Sequence, residues 1–146
     1  MRRRSATAGF TLVELLVVLG IMGLILAAAV MARPRNAVAR LETAARSMAA
    51  ALQLARSRAM AANVDVVVMI DPLKGEFGYP KAMHRLPQGM RVALTIAESE
   101  RYGERGGLRF FPDGQSSGGD ILLTYEGRER RIAVNWLTGE PRLSRR

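Results

Sequence analysis

The chain has no cysteine and a single histidine, His84, among its 146 residues. Without cysteine it cannot form a disulfide framework, hold a metal through thiolates or use a thiol nucleophile. A serine nucleophile needs a base held by a third group, and His84 lies in a polar segment with no such partners nearby in sequence. We therefore predict no catalytic residues and no cofactor.

Charge is absent from a long stretch near the N-terminus, where residues 15–32 carry none. A helix of this length just crosses a hydrocarbon core about 30 Å thick, at about 1.5 Å per residue. Glu14 stands at the start of the stretch, and the basic segment 2–4 precedes it. An acid carried to the bilayer centre costs about 2.5–3.5 kcal/mol, so Glu14 is expected to need a partner. The pattern predicts a membrane helix over residues 10–32.

The segment Gly9-Phe10-Thr11-Leu12-Val13-Glu14 resembles the class III leader of type IV pilins and type II secretion pseudopilins. The resemblance implies that a prepilin peptidase removes residues 1–9 by cutting between Gly9 and Phe10, and methylates the new Phe10 amine. It also implies that Glu14 neutralises the amine of a neighbouring subunit during assembly. The alternative is a plain signal anchor, in which Glu14 only marks where the membrane begins.

The formal net charge is +9, from 22 basic and 13 acidic residues, and arginine supplies all but two of the basic ones. Removal of the leader would leave about +6. This surplus is compatible with nucleic acid, anionic lipid or acidic partners, but a compositional preference for arginine explains it equally well. Arginines also follow the apolar run, so charge counting does not orient the anchor.

A second amphipathic segment follows the anchor over residues 33–63. Pro34 predicts a kink near 32–35, and Asn63 is a plausible helix stop. Small and apolar residues recur at alternating spacings of three and four, which places them on one stripe. These are Val38, Leu41, Ala45, Met48, Leu52, Ala55 and Ala59. We expect this stripe to pack on the chain's own sheet.

The remaining residues, 64–146, read as short strands separated by turns. Strands are predicted at 64–70, 76–79, 89–97, 108–111, 121–125 and 131–136, with loops at 80–87 and 98–107 and a basic tail at 141–146. A long helix followed by antiparallel strands predicts an α+β, pilin-like fold with the helix laid on the sheet.

Two C-terminal segments, Arg109–Gly119 and Val134–Gly139, resemble the signature of the H-type minor pseudopilins of type II secretion. The resemblance implies a structural subunit near the tip of a periplasmic pseudopilus that helps export folded proteins. Implied partners are the other minor and major pseudopilins, the prepilin peptidase, inner-membrane lipid and the secretion machinery. It implies a single-pass protein of the bacterial inner membrane with its C-terminal domain in the periplasm. The alternative is a minor pilin of a type IV or transformation pilus, some of which bind DNA. The segment 71–107 carries no recognised motif.

Several residues in the second half could suggest chemistry. Ser116 and Ser117 lie among glycines that are better explained by turns. Asp71, Asp113 and Asp120 lack the spacing of a calcium loop, so we predict no metal.

Trp136 is expected to pack in or beside the core, with a partner contact as the alternative. The late arginines at 128, 130, 131, 142, 145 and 146 form a basic cluster. Apart from Trp136 it lacks the interleaved aromatic residues typical of single-strand nucleic-acid binding, which favours a solvated strand edge.

Overall fold

The computed structural model describes residues 11–31, 37–80 and 82–144. The chain divides into two units, residues 1–35 and 36–146. Helix α1 (Leu12–Met31) belongs to the first. Its residues 12–29 form the one described helix that is long and apolar enough to cross a membrane. The predicted kink near Pro34 lies outside the described residues.

Helix α2 (Ala37–Ala62) begins the second unit. Six of the seven predicted stripe residues are buried, and only Val38 is exposed, at 42%. The helix ends as predicted at Asn63, whose φ of 54° is left-handed. The amide of Val64 closes the end by donating to the Ala59 carbonyl at 3.3 Å. Alanine supplies much of the buried face, so the helix axis can approach the sheets closely.

Within the described residues, nine strands form two antiparallel sheets. They are β1 (Val66–Asp71), β2 (Glu76–Tyr79), β3 (Ala82–Arg85), β4 (Arg91–Thr95), β5 (Arg101–Tyr102), β6 (Arg105–Phe110), β7 (Gly119–Tyr125), β8 (Arg128–Val134) and β9 (Pro141–Ser144). The first sheet has the order β3-β2-β1-β6-β5, and the second has β4-β7-β8-β9. With α2 packed on both sheets, the arrangement confirms the predicted α+β class.

The core lies between α2 and the inner faces of the two sheets. Alternating residues of β7 and β8 point inward, as Ile121, Leu123, Ile132 and Val134 show. The sheets meet at Gly106, where a Cβ would lie 2.5 Å from Ile96 Cδ1. The same Cβ would lie 2.8 Å from Leu94 Cδ1 of β4, so a larger residue here would force both side chains to shift.

Three predictions about strands are wrong. The segments 80–87 and 98–107 are not simple loops, because β3 lies in the first, and β5 and the start of β6 lie in the second. The tail 141–146 contains β9, which starts at Pro141. These pieces are edge strands or rich in glycine, and β3 is exposed at every position, so it shows no alternation of apolar residues.

The segment between β4 and β6 is tied to the first sheet by a buried ion pair. Glu100 is only 6% exposed, and its carboxylate accepts Arg109 Nε at 2.9 Å. Arg109 also donates to the Tyr102 hydroxyl at 3.2 Å. Hydrogen bonding to Glu100 raises the pKa of Arg109. The end of the segment without a motif, between β4 and β6, therefore forms a connection between the two sheets.

Candidate functional site

The described part of the predicted assembly site is the first turn of α1. The amide of Glu14 donates to Thr11 Oγ1 at 3.2 Å, and the amide of Leu15 donates to the Thr11 carbonyl at 3.2 Å. Thr11 is thus the N-cap of the helix, and the T-x-x-E spacing is that of a capping box. Sequence reasoning missed Thr11, although the spacing could have revealed it. Gly9 and Phe10 lie outside the described residues.

Glu14 is the single charged residue of residues 11–31. It is exposed in the first turn, near the positive end of the helix dipole. Among the described residues, no basic side chain forms an ion pair with it. A carboxylate held at this position can receive a cation that lies at the same membrane depth.

The glycine- and serine-rich loop 111–118 is held in place by hydrogen bonds from its two serines to backbone groups. Ser116 is buried, and its Oγ donates to the Asn135 carbonyl at 3.1 Å and accepts the Gly118 amide at 3.1 Å. The Ser116 amide donates to the Trp136 carbonyl at 2.9 Å. Ser117 Oγ accepts the Arg109 amide at 3.1 Å. Both hydroxyls therefore bind backbone groups.

The same loop is fastened to α2 and to the turn before β9. Arg56 Nε donates to the Gly114 carbonyl at 3.0 Å. Gly139 has a φ of 65°, and a Cβ there would collide with that same carbonyl oxygen. Arg56 thus joins two loops that are far apart in sequence. The two segments that resemble the H-type family, Arg109–Gly119 and Val134–Gly139, meet at this point, and their hydrogen bonds stabilise the fold.

The three candidate aspartates lie in separate places. Asp71 Oδ1 accepts the amides of Leu73 and Lys74, and Oδ2 accepts Arg105 Nε at 3.0 Å. These bonds, led by the Lys74 amide, lower the pKa of Asp71.

The other two candidate aspartates, Asp113 and Asp120, make different structural contacts. Asp113 accepts the Gln115 amide at 2.9 Å, and Asp120 pairs with Arg131 at 2.8 Å. Residues 11–31, 37–80 and 82–144 contain no cluster of three His, Asp or Glu residues suited to a metal ion. His84 stacks near Phe77, with ring centroids 5.6 Å apart.

The prediction that Trp136 packs in or beside the core is wrong. Its side chain is 64% exposed, and its neighbour Leu137 is 55% exposed. The turn that carries them is held by Asn135 Oδ1, which accepts the amides of Leu137 and Thr138. The backbone is fixed from inside while the indole ring faces outward.

Comparison with known proteins identifies families and relatives that this chain resembles. Residues 44–139 match the family described as type II transport protein GspH, and residues 4–30 match the prokaryotic N-terminal methylation motif. The chain is 34% identical over 143 residues to the type II secretion system protein H of Xanthomonas campestris pv. campestris, covering 95% of this chain and 84% of that protein.

Two solved structures share the fold. The minor pseudopilin EpsH of Vibrio cholerae matches with a TM-score of 0.57 and 16% identity, covering 73% of this chain and 97% of that one. The type IV minor pilin FimU of Pseudomonas aeruginosa matches with a TM-score of 0.55 and 16% identity, covering 76% and 92%. At these identities the likeness concerns the fold alone.

Proposed function

This chain belongs to the type II transport protein GspH family and is a minor pseudopilin of type II secretion, and from that premise we propose how it is processed, inserted and assembled. It is a structural subunit near the tip of a periplasmic pseudopilus that helps export folded proteins. It carries out no chemistry of its own. The observation that supports this best is the match to the methylation motif over residues 4–30, followed by an anchor with one carboxylate in its first turn.

The first step is removal of residues 1–9 by a prepilin peptidase, with methylation of the Phe10 amine. We expect Gly9→Ala to block this step in cells that contain the peptidase, because the cleaved bond follows Gly9. Intact-mass measurement would then show the full chain beginning at Met1. Ala6→Gly, a change of similar size within the leader, should leave processing intact. Normal cleavage of Gly9→Ala would refute the proposed processing.

The second step is insertion of α1 into the inner membrane with the β-rich domain in the periplasm. The lack of native cysteine makes a single introduced thiol a clean probe. Ser144→Cys places that thiol on the exposed last strand. A membrane-impermeant maleimide should label it in intact spheroplasts. Labelling only after lysis would contradict this orientation.

The third step is assembly through Glu14. In a packed bundle of anchors, the Glu14 carboxylate neutralises the Phe10 amine of a neighbouring subunit, where low dielectric strengthens the pairing. We expect Glu14→Gln to abolish incorporation and reduce export while leader cleavage continues. Glu104→Gln removes an exposed acid from a turn of the domain and should change neither result. If Glu14→Gln exports normally, the pairing is not required.

The alternative, a minor pilin that binds DNA, draws only on the shared fold with FimU. The family match and the 34% identical secretion protein favour secretion. A gel-shift series of the full chain in detergent with duplex DNA at increasing salt addresses the alternative. Binding with a steep salt dependence would favour it.

A further inference from the structure

Five arginines gather at the end of the domain where α2 begins; four of them are exposed, and the fifth, Arg130, has a side chain that is only 13% exposed. Arg40 Nη1 donates to the Tyr125 hydroxyl at 3.4 Å, which links the first turns of α2 to the end of β7. Arg128 and Arg130 follow on β8, and Arg91 pairs across from Thr124 of β7. We name the surface formed by Arg40, Arg46, Arg91, Arg128 and Arg130 the basic end.

The acids at this end do not balance the arginines. Glu42 is shared between Arg130 at 2.9 Å and Arg46 at 3.1 Å, and the Arg130 bond is the chief reason its pKa is lowered. Glu126 and Glu129 are the acids at the β7–β8 turn, while Asp120 of β7 pairs with Arg131. Arg40, Arg91 and Arg128 are exposed and form no ion pair with another described residue.

Within the described residues of this end, the five arginines of the basic end face three glutamates, Glu42, Glu126 and Glu129. The basic end therefore carries a surplus of positive charge.

A depression in the basic end is lined by both apolar and charged residues. A cavity of about 400 Å³ is lined by Val38 and Leu41 of α2 and by residues 127–130 of the β7–β8 turn. Val38 is 42% exposed, although it lies on the otherwise buried stripe. Apolar contacts beside arginines suit a phospholipid, which presents a phosphate next to acyl chains.

Chain length limits how far this end can move from the anchor. Six residue steps separate Met31, the last residue of α1, from Ala37, the first of α2. At about 3.3–3.6 Å per residue they span at most about 22 Å. With α1 in a bilayer, the start of α2 remains within reach of the headgroups.

We propose that the basic end docks on anionic phospholipid headgroups of the membrane that holds the anchor. The proposal rests on the membrane insertion proposed above and adds a specific surface and lipid class to it. Each arginine near an anionic surface strengthens association about fivefold at moderate salt. Docking keeps the domain on the bilayer until the subunit enters a filament. A second copy of the chain is a poor occupant, since it would bring arginines against arginines.

The test uses the full processed chain, one copy per lipid nanodisc, with a fluorophore on a single introduced cysteine. Gln88→Cys places the label on an exposed residue beside Gly89, whose Cβ position is 3.7 Å from the Tyr125 ring. Thr138→Cys labels the turn before β9 as a control. The discs contain phosphatidylcholine alone or with one quarter phosphatidylglycerol, and a headgroup nitroxide quenches nearby labels.

We expect quenching at position 88 to rise at least about threefold when phosphatidylglycerol is present, and to return to the neutral-lipid value in 0.5 M salt because ions screen the surface. The label at 138 should not respond. The double variant R40E/R128E should lose the response. R101E/R142E makes the same charge change at exposed positions away from the basic end and should keep it.

Equal quenching in the two lipids, or a response that survives R40E/R128E, would overturn the proposal. So would a duplex DNA fragment that binds the neutral discs through these two arginines while phosphatidylglycerol has no effect, because the surface would then serve nucleic acid. A chain that fails to enter the discs would contradict the proposed insertion instead. The two failures are therefore distinguishable.

Discussion

Two glycines with the same backbone conformation should tolerate alanine very differently. Gly139 has a φ of 65° and Gly127 a φ of 72°, so alanine is strained at both. A Cβ at Gly127 meets nothing within 4 Å. A Cβ at Gly139 would strike the Gly114 carbonyl oxygen and lie 3.0 Å from Arg56 Cδ. The pair therefore separates backbone strain from the close approach of two loops.

The expected costs follow from these contacts. Left-handed backbone costs about 1–2 kcal/mol for alanine, and this applies to both positions. At Gly139 the clash also pushes away the carbonyl that accepts Arg56 Nε at 3.0 Å. A hydrogen bond from a charged donor contributes about 1.5–3 kcal/mol. We expect Gly139→Ala to lower the free energy of unfolding by about 2.5–5 kcal/mol and Gly127→Ala by about 1–2 kcal/mol.

Urea unfolding of the full chain in a non-ionic detergent, followed by far-ultraviolet circular dichroism, measures both variants. The denaturant slope should be unchanged, so the midpoints report the free-energy difference. Equal destabilisation of the two variants would refute the reasoning, because backbone strain would then explain everything. Arg56→Ala should remove most of the additional cost when it is combined with Gly139→Ala.

Three further predictions concern single side chains. Acrylamide should quench the fluorescence of Trp136, the only tryptophan, nearly as well as it quenches free tryptophan amide; strong protection would mean that the ring is buried. Glu100→Ala should cost about 2–4 kcal/mol in urea unfolding, because it leaves the partly buried Arg109 with only the more exposed Asp65 carboxylate at 3.5 Å, and a loss no larger than that of exposed Glu104→Ala would contradict this. Asp71 has a lowered pKa in the folded chain, so its contribution is complete above its ordinary value of 3.8 and is lost as the pH falls through the lower folded value. The stability gap between the parent and Asp71→Asn should therefore shrink in acid, and a constant gap down to pH 2 would show that the carboxylate is not stabilised by its partners.

The sequence was sufficient where periodicity is strong. The α2 stripe and its end at Asn63 were predicted correctly, and so was the existence of β7 and β8. The bounds of β8 were predicted at 131–136, whereas the strand covers Arg128–Val134. It was insufficient where burial depends on distant residues. β3 and β5 lie at sheet edges and β9 begins with a proline, so none has the alternation that identifies a strand.

Some residues of the candidate site could be predicted from the sequence and others could not. The acid before the apolar run marked Glu14, but Thr11 was missed although its spacing to Glu14 is that of a capping box. Trp136 was misplaced because a large ring suggests burial. Its outward position follows from hydrogen bonds made by Ser116 and Asn135, which the order of residues does not reveal.

The packing of α2 against the last strands affects the order in which the domain can form. Arg40 bonds to Tyr125, which lies 85 residues later in the chain, and Glu42 bonds to Arg130, which lies 88 residues later. β1 follows α2 directly and covers part of its apolar stripe, but the rest of the stripe stays uncovered until β8 has been added. If the domain crosses the membrane as proposed, a chain stopped before Arg128 should therefore be cut rapidly by proteases on the far side.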